Sequence, residues 1–564
     1  MAKTTNERLV AVCAGFLLAL HLLWVRCVWL QVIEGPALAR YARTQYRISQ
    51  PLVAPRGTIR DREGRVLAMS VRAPSVYANP RQMSGKAETA IRMAKLLDRD
   101  VGMLNERLSR KKGFVWLARH VDPALQETLA TFRRAGVGVA EEGQRLYPQE
   151  QLASHLLGFV DVDQRGLEGL ELAYNGILRG RAGWQSTRRD ARGELLVGPW
   201  TVEAAPQSGA DMVLTIDSVV QASAEEALAW GVTQFHAKGG SIIVLDPESG
   251  AVLAMATLPT FDPNHPARTP AEARRNRAIT DLFEPGSIFK IVTAAALLEE
   301  GKARPEERVF CEQGSFHTVA RHVLHDHTPH GWLSFHDVIK YSSNIGTAKL
   351  ASRLPPETLY RHIRAFGFGQ PTGIELRGEI GGMVHAPAMW SKLSPYLIPI
   401  GQEVAVTPIQ LAVMTAVIAN GGWKVRPYVV ARIQTPEGAL IRRYDAAPRQ
   451  RILSSETVSQ LSEMLVSVVE SGTGQQANVE GLTVAGKTGT AQKLEPLTGR
   501  YSHSRYVASF VGYGPVPAPR FAMVVSIDEP RPLYFGGVVA APVFRRVVQQ
   551  LTGYWGLQVA SVPQ

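Results

Sequence analysis

Cysteine is scarce in this chain, and its scarcity limits the chemistry that the sequence can support. Only three cysteines occur in 564 residues: Cys13 and Cys27 lie in or beside an apolar N-terminal stretch, and Cys311 stands alone in the remainder. An internal disulfide framework is therefore excluded. Cys311 has no His and Asn arrangement that resembles a thiol-enzyme signature, so we interpret it as a packed thiol and not as a nucleophile.

The sequence also lacks a basic run with interleaved aromatic residues, despite a formal net charge of +12. Scattered Lys and Arg residues do not predict nucleic-acid binding. The charge suits a polyanionic partner, such as anionic lipid headgroups or an acidic wall polymer, and a basic solvated surface without a partner explains it equally well. The 45% hydrophobic and 20% charged content is that of a folded protein.

Only one apolar run is long enough to cross a membrane. Residues Leu9–Val25 are apolar except for His21, and the run resumes after Arg26. The mostly bulky residues Trp24–Trp29 do not resemble a signal-peptide cleavage site, which needs small residues. A buried core helix is disfavoured by the terminal position and by the lack of a polar face. We therefore predict an uncleaved membrane anchor, whose orientation the flanking Lys and Arg residues leave open.

The order of patterns along the chain predicts an anchor followed by two domains. Residues Pro55–Ala68 favour a β-hairpin, and helical patterns follow until a boundary near residue 205. Beyond it, DMVLTID and SIIVLDPESGAVLAMATLP are typical of strands separated by a helix, and AAPVFRRVVQQLTGY is typical of an amphipathic closing helix. The predicted divisions are a short tail and anchor at 1–35, a mixed N-terminal domain at 36–205, a second domain at 206–555 and a C-terminal tail at 556–564.

The first chemical motif pairs a serine with a lysine at a predicted helix start. Pro285 and Gly286 precede a helix expected to stop at Gly301, which places Ser287 at its amino end and Lys290 one turn later. Lys290 can accept the serine proton only when neutral, so its pKa must fall below the ordinary value of ~10.4. Desolvation and a second nearby cation would both lower it. Alone, the motif is also an ordinary helix start.

The second motif places Ser342 and Asn344 in the stretch VIKYSSNIGTAKLA. A hydroxyl at this place can relay a proton between a lysine and a leaving amine, and a carboxamide can both donate to and accept from a substrate amide. A helix cap before an apolar run explains the same residues.

The third motif, in GLTVAGKTGTAQK, places Lys487, Thr488, Gly489 and Thr490 on a predicted strand. Gly489 permits the close approach of another backbone. Lys487 and the threonine hydroxyls can bind a carboxylate, and the backbone amides of Thr490 and Ser287 can form an oxyanion hole. A phosphate loop is disfavoured because the Gly-rich spacing before the lysine is missing.

Together and in this order, the three motifs resemble the S-x-x-K, S-x-N and K-T-G set of penicillin-binding proteins and serine β-lactamases. The stretches RGTIRDREGRVLA, ASHLLGFVD, GLEGLELAYN, GQEVAVTPIQLA and GGVVAAPVF extend the resemblance to class B penicillin-binding proteins from the anchor onward. No Glu-Asp-x-x-Phe-type glycosyltransferase motif precedes residue 205, so we expect a monofunctional enzyme. Glu284 before Pro-Gly-Ser resembles division or sporulation types more than elongation types.

The resemblance implies a fold and a reaction. The fold is α/β, with a transpeptidase domain built on a five-stranded antiparallel sheet flanked by helices, on an elongated β-rich pedestal. Ser287 would attack the D-alanyl-D-alanine end of a stem peptide and pass the acyl group to an amine of a neighbouring peptide, and β-lactams would inhibit it covalently. The resemblance implies catalytic roles for Ser287, Lys290 and Ser342, and substrate-binding roles for Asn344, Lys487, Thr488, Gly489 and Thr490.

The resemblance also implies a cellular setting. We expect a single-pass protein of the inner (cytoplasmic) membrane with its catalytic domain on the periplasmic side. Expected partners are peptidoglycan stem peptides, β-lactams, a membrane glycan polymerase and divisome proteins, with no cofactor and no nucleic acid. One His-rich stretch is interpreted as a polar loop in which Asp326, His330 and Gly331 resemble the family. A metal site is an alternative there, but structural zinc sites usually pair their histidines with cysteine or carboxylate at tighter spacing, so we predict none. The histidines of this stretch are His317, His322, His325, His327, His330 and His336.

Other classes of protein share parts of this pattern. A β-lactamase needs a base that activates water, and Glu357 in PPETLYRH resembles the start of an E-x-x-L-N motif. Tyr360 stands where that motif has asparagine, which disfavours this interpretation. A penicillin-sensing receptor would need further membrane spans or a signalling domain, and an inactive scaffold would need a broken motif, whereas none is broken.

Overall fold

The structure, a computed structural model, describes residues 2–132, 136–188, 201–319, 322–444, 446–495 and 500–557. Within these residues the chain forms two compact units, one from Met1–Pro55 and Gly180–Ser208 and the other from Arg56–Arg179 and Gly209–Gln564. The predicted C-terminal tail at 556–564 lies outside the described residues beyond Leu557. The predicted domain limits at 35, 205 and 555 stay predictions.

The first unit contains the predicted apolar helix. An α-helix at Ala2–Val28 continues as a π-helical segment at Trp29–Ile33, and a second helix follows at Gly35–Tyr46. The apolar stretch Lys3–Ile33 is 31 residues long, with no part buried in the protein. A helix of that length exceeds the ~30 Å hydrocarbon core of a bilayer. The unit also has a three-stranded antiparallel sheet, with strands Arg47–Leu52, Gly183–Arg188 and Thr201–Ala204 in spatial order.

In the second unit, a seven-stranded sheet joins distant parts of the chain. The predicted hairpin is confirmed, because Ile59–Arg60 pairs antiparallel with Val66–Ala78. Ile59–Arg60 also pairs in parallel with Asp211–Leu214, which lies more than a hundred residues further along. The remaining strands of this sheet are Val115–Ala118, Val137–Leu146, Val430–Gln434 and Leu440–Arg443. Residues 56–179 therefore share a sheet with the part of the chain that follows residue 209.

A buried ion cluster links distant positions within residues 56–179. Arg56 Nε donates to Glu171 Oε2 at 2.5 Å, and Arg145 Nε donates to Glu171 Oε1 at 2.7 Å. The side chains are 1%, 1% and 0% exposed for Arg56, Arg145 and Glu171. Arg145 also donates to the Gly57 carbonyl at 2.7 Å. Because one carboxylate serves two arginines away from water, its loss would leave both cations uncompensated.

Helices in this part of the chain are Lys86–Leu97, Val101–Ser109, Pro123–Leu125 (3₁₀), Gln126–Ala130, Ser154–Leu157, Gly169–Ala173 and Asn175–Leu178.

Five strands form the central antiparallel sheet, which confirms the predicted fold class. They are β1 Gly239–Leu245, β2 Val252–Leu258, β3 Ala485–Leu494, β4 Tyr501–Gly514 and β5 Phe521–Asp528. Their spatial order is β2-β1-β5-β4-β3, so β3 is an edge strand. The edge position leaves one side of β3 free to pair with a ligand instead of a neighbouring strand.

Helices cover both faces of the central sheet. Ile242 and Val244 of β1 pack in the same core cluster as helices Ser218–Gln234 and Gly536–Thr552. Ile243 and Leu245 point to the other face, into a second cluster that includes helices Lys290–Glu299, Pro408–Ala419 and Ser455–Ser471. Burial on both faces explains why the sequence SIIVL is continuously apolar and does not alternate.

The remaining elements connect the central sheet to its helices. Helical segments of this part are Pro266–Arg268, Ala271–Arg274, Gly286–Phe289, Glu312–Gly314, Pro387–Met389, Ile398–Ile400 and Gln475–Ala477 (all 3₁₀), and Arg277–Thr280, Phe335–Lys340, Asn344–Ala351, Pro356–Ala365 and Ser394–Leu397 (all α). Short strands pair as Arg308–Phe310 with Trp332–Ser334, Ser315–His317 with Val323–His325, Met383–Val384 with Val404–Ala405, and Trp423–Lys424 with Gln450–Arg451.

Candidate active site

Ser287 lies at the start of a helix, as its sequence context predicts. It belongs to the 3₁₀ turn Gly286–Phe289, which leads into the α-helix Lys290–Glu299. Gly286 has a φ of +53°, and a Cβ there would lie 2.8 Å from the carbonyl oxygen of Thr490. Only glycine fits both conditions, so the turn can press against strand β3. This contact places Ser287 beside the third motif.

Lys290, one turn after Ser287 in sequence, is completely buried. Its Nζ donates to the Ser342 carbonyl at 2.6 Å, to Ser342 Oγ at 3.2 Å and to Asn344 Oδ1 at 2.8 Å. Burial lowers the pKa of Lys290 from 10.5 to about 7, while the nearby charges of Asp326 and Cys311 act in the opposite direction. Of the two predicted causes, desolvation dominates and the second cation is not among those that shift this pKa. Near neutral pH this amine can accept a proton.

The second motif forms the turn between helices Phe335–Lys340 and Asn344–Ala351. Ser342 has a φ of +61°, a left-handed conformation that costs a non-glycine residue about 1–2 kcal/mol. Ser343 is the N-cap of the second helix, with its Oγ accepting from the Gly346 amide at 2.9 Å. The helix-cap interpretation of Ser342 and Asn344 is therefore wrong, since the cap is Ser343 and Ser342 contacts the two lysines. The Asn344 carboxamide also donates to the His325 carbonyl at 2.8 Å.

Strand β3 supplies the third motif from the edge of the central sheet. Lys487 is fully buried, and its Nζ donates to Ser342 Oγ at 2.9 Å and to the Thr488 carbonyl at 3.3 Å. Burial, followed by the charge of Lys290, holds the pKa of Lys487 well below its ordinary value. The Ser342 hydroxyl therefore lies between two amines, both of which lose their charge readily.

The residues that follow Lys487 face the cleft or its wall. Thr488 Oγ1 lies 2.9 Å from Thr473 Oγ1, and Thr490 Oγ1 accepts from the Gly536 amide at 3.0 Å. A Cβ at Gly536 would lie 2.2 Å from the Gly489 carbonyl oxygen. The backbone of the closing helix thus approaches Gly489 closely, as predicted.

These side chains border an open cleft of about 610 Å³. None of the cleft-lining side chains within the described ranges is Asp, Glu, Lys or Arg. Aromatic and imidazole rings form much of the wall. The ring centroids of the stacked pair Tyr506 and Tyr534 are 4.0 Å apart, and those of His327 and Phe535 are 4.7 Å apart. The cleft-lining residues from the three motifs are Ser287, Ser342, Asn344, Thr488 and Thr490. A ligand in this cleft would meet neutral hydroxyls, amides and rings above two buried amines.

All eight predicted site residues come together in the structure, but two more side chains contact them. Thr473 supports Thr488, and Asp326 contacts Ser343 and the backbone of Asn344. The stretch ESGTG carries no spacing that would have identified Thr473. Asp326 lies in the His-rich stretch, in a loop where it resembles the family but for which the sequence predicted no role.

Several alternatives from the sequence lie elsewhere in the structure. Glu357 is exposed on the helix Pro356–Ala365 and does not line the cleft. Cys311 is completely buried, and its sulfur lies 3.4 Å from Ser343 Oγ. Among the residues that the structure describes, no group of three His, Cys, Asp or Glu side chains is arranged to hold a metal ion.

Family models match most of the chain. Residues 240–549 match the penicillin binding protein transpeptidase domain, and residues 51–214 match the penicillin-binding protein dimerisation domain. The first match contains all three motifs.

Curated relatives align over nearly the whole sequence. The chain is 32% identical to the peptidoglycan D,D-transpeptidase FtsI of Escherichia coli over 97% of its length and 92% of that protein. It is also 32% identical to stage V sporulation protein D of Bacillus subtilis, over 97% of this chain and 85% of the relative.

Solved structures share the fold. Penicillin binding protein 3 of Mycobacterium tuberculosis in complex with ampicillin has a TM-score of 0.71 and 28% identity, covering 92% of this chain and 98% of that one. A peptidoglycan synthetase of Bifidobacterium adolescentis has a TM-score of 0.73 and 26% identity, covering 92% of this chain and 98% of that one.

Proposed function

The chain belongs to the class B penicillin-binding proteins, the family of the peptidoglycan D,D-transpeptidases, and we propose that it cross-links stem peptides of the septal wall through an acyl-enzyme on Ser287. The observation that carries the proposal is the convergence of Lys290 and Lys487 on Ser342 Oγ, below the cleft that Ser287 lines. Two buried amines of lowered pKa and a shared hydroxyl form a proton relay next to a nucleophile.

Acylation begins when Ser287 Oγ attacks the carbonyl carbon between the two D-alanines of a stem peptide. Neutral Lys290 takes the hydroxyl proton, which activates the serine. The backbone N–H groups of Ser287 and Thr490 hold the developing oxyanion. The proton then passes to the leaving D-alanine amine through Ser342, and an ester on Ser287 remains.

The terminal carboxylate of the donor is bound by hydroxyls at the cleft wall. Thr488 and Thr490 line the cleft, and Thr473 fixes the Thr488 hydroxyl from behind. Lys487 lies below this wall and adds positive potential when it is protonated, so binding of the substrate anion and uptake of a proton by Lys487 support one another. Asn344 completes the wall and contacts the peptide amide.

The acyl group leaves by transfer to an amine. An acceptor amine attacks the ester carbonyl while Ser342 and Lys290 remove its proton, which yields the cross-link and restores Ser287. Water is a poor substitute, because no carboxylate among the described residues lines the cleft to activate it. A β-lactam forms an ester on the same serine, but the amine released by ring opening stays attached to the acyl group and does not leave the cleft free for an acceptor amine, so the penicilloyl enzyme persists.

The apolar helix makes the protein a single-pass membrane protein, and we place its catalytic part on the periplasmic side, where peptidoglycan is assembled. Anchoring keeps the enzyme beside nascent glycan. A membrane glycan polymerase and divisome proteins are the partners that this position favours.

The test replaces the nucleophile. Ser287→Ala should fold normally and form no covalent adduct with fluorescent penicillin. The adduct is detected by gel fluorescence and by intact-mass analysis. Ser352→Ala is the matched control, since that serine is exposed at the end of the helix Asn344–Ala351 and does not line the cleft, and it should still form the adduct. An adduct on Ser287→Ala would show that another residue is the nucleophile.

A further inference from the structure

Asp326 holds the second motif by three hydrogen bonds. Its Oδ2 accepts from Ser343 Oγ at 2.6 Å, and its Oδ1 accepts from the backbone amides of Asn344 at 2.6 Å and of Ile345 at 3.0 Å. The Asp326 amide in turn donates to the Gly314 carbonyl at 3.2 Å. The carboxylate therefore ties the turn to a separate loop, and its charge lies at the positive end of the helix Asn344–Ala351.

Ser342 directly precedes the three residues that bind Asp326, and its backbone is strained. Its φ of +61° is unfavourable for a side chain with a Cβ, so neighbouring contacts must hold it. In this conformation the Ser342 carbonyl accepts from Lys290 and its hydroxyl lies between Lys290 and Lys487. Release of the turn would allow Ser342 to relax and would separate the hydroxyl from one or both amines.

We propose that Asp326 is a positioning residue for the transpeptidase reaction, which clamps the turn Ser342–Asn344 so that Ser342 stays between the two lysines. This inference rests on the proposed function of Ser287, Lys290 and Ser342. The carboxylate acts through the turn and touches neither substrate nor the reacting atoms.

Its charge has a second effect on the same site. The charged and titratable groups that face Lys290 are Asp326, the Cys311 thiol and Lys487. Asp326 favours the protonated amine, so it opposes the effect of burial on the pKa of Lys290. Removing the charge while keeping the shape should therefore lower that pKa further, a result that loss of a simple helix cap would not produce.

The experiment compares two substitutions of one residue. Asp326→Asn keeps an oxygen for the two backbone amides and removes the charge, whereas Asp326→Ala removes the clamp. Acylation by nitrocefin is followed under single-turnover conditions from pH 5 to 9. The rates are normalised to the amount of folded enzyme, which is measured by circular dichroism. Asp100→Asn is the control, because Asp100 caps the helix Val101–Ser109 far along the chain from the motifs.

For Asp326→Asn, the midpoint of the rise in acylation with pH should move down by roughly half a unit or more. For Asp326→Ala, the plateau rate should fall at least tenfold, and the control should match the parent in both respects. Parent-like midpoint and plateau in both variants would overturn the inference; if Asp326→Ala does not fold, a parent-like profile for Asp326→Asn is sufficient to do so. Failure of the parent enzyme itself to form a Ser287 adduct would overturn the proposed function instead.

Discussion

Acylation of Ser287 should follow the protonation state of Lys290, and burial sets the pH at which the change occurs. The pKa of Lys290 falls from 10.5 to about 7. A lysine base works only in its neutral form, so the acylation rate should rise with pH through about 7 and level off above about 8. The neutral fraction is roughly one tenth at pH 6 and one hundredth at pH 5, and the rates should fall in the same proportion.

The size of the effect can be worked out from the shift. With the ordinary pKa of 10.5, only about three lysines in ten thousand would be neutral at pH 7, whereas about half are neutral at a pKa of about 7. Burial therefore raises the concentration of active base by ~10³, which is equivalent to about 4 kcal/mol in the activation barrier. This gain depends on the closed environment of Lys290 and would be lost if water reached its amine.

Stopped-flow acylation with nitrocefin between pH 5 and 9 measures this dependence. Lys290→Met should remove the rise with pH and lower the plateau by a factor of ~10²–10⁴, the usual contribution of a general base. Lys424→Met is the control, because burial also lowers the pKa of Lys424 but this lysine does not line the cleft. A rate that is flat from pH 5.5 to 8, or a midpoint above pH 9, would refute the assignment of Lys290 as base.

Three further predictions concern turnover, stability and anchoring. With excess nitrocefin, the enzyme should give a burst near one equivalent followed by a nearly flat line, and sustained turnover of many equivalents per second would indicate a β-lactamase. Glu171→Gln should lower the free energy of unfolding by about 3–5 kcal/mol in urea titrations, because Arg56 and Arg145 lose the carboxylate that they share, whereas the exposed Glu106→Gln should change it by less than about 1 kcal/mol. Deletion of residues 1–35 should give a soluble protein that still reacts with penicillin, and a folded product that stays in the membrane pellet would contradict the single-anchor model.

Much of the candidate site was predictable because its chemistry is local in sequence. The spacing of Ser287 and Lys290 requires only one helical turn, and a helix start is indicated by Pro285 and Gly286. The strand of the third motif was likewise predictable, since Thr488 and its neighbours continue an alternating pattern. Fold class followed from the resemblance, and the central sheet confirms it.

Other features of the site depend on contacts that no local pattern encodes. Asp326 was missed because a carboxylate in a His-rich loop has no periodicity, and its partners Ser343 and Asn344 follow a separate helix. Thr473 was missed for the same reason, since its hydroxyl meets Thr488 only after a loop folds against strand β3.

By itself, the sequence determined which functional groups are available, that an apolar helix of spanning length precedes them, and that the three motifs belong to one kind of enzyme. Tertiary structure alone decided how those groups behave. Ser342 lies 52 positions from Lys290 and 145 from Lys487, and packing of the helices against the central sheet brings their polar atoms within hydrogen-bonding distance. The same packing excludes water from both amines, and because a pKa depends on surroundings as much as on the group itself, only the folded chain could lower the pKa of two ordinary lysines.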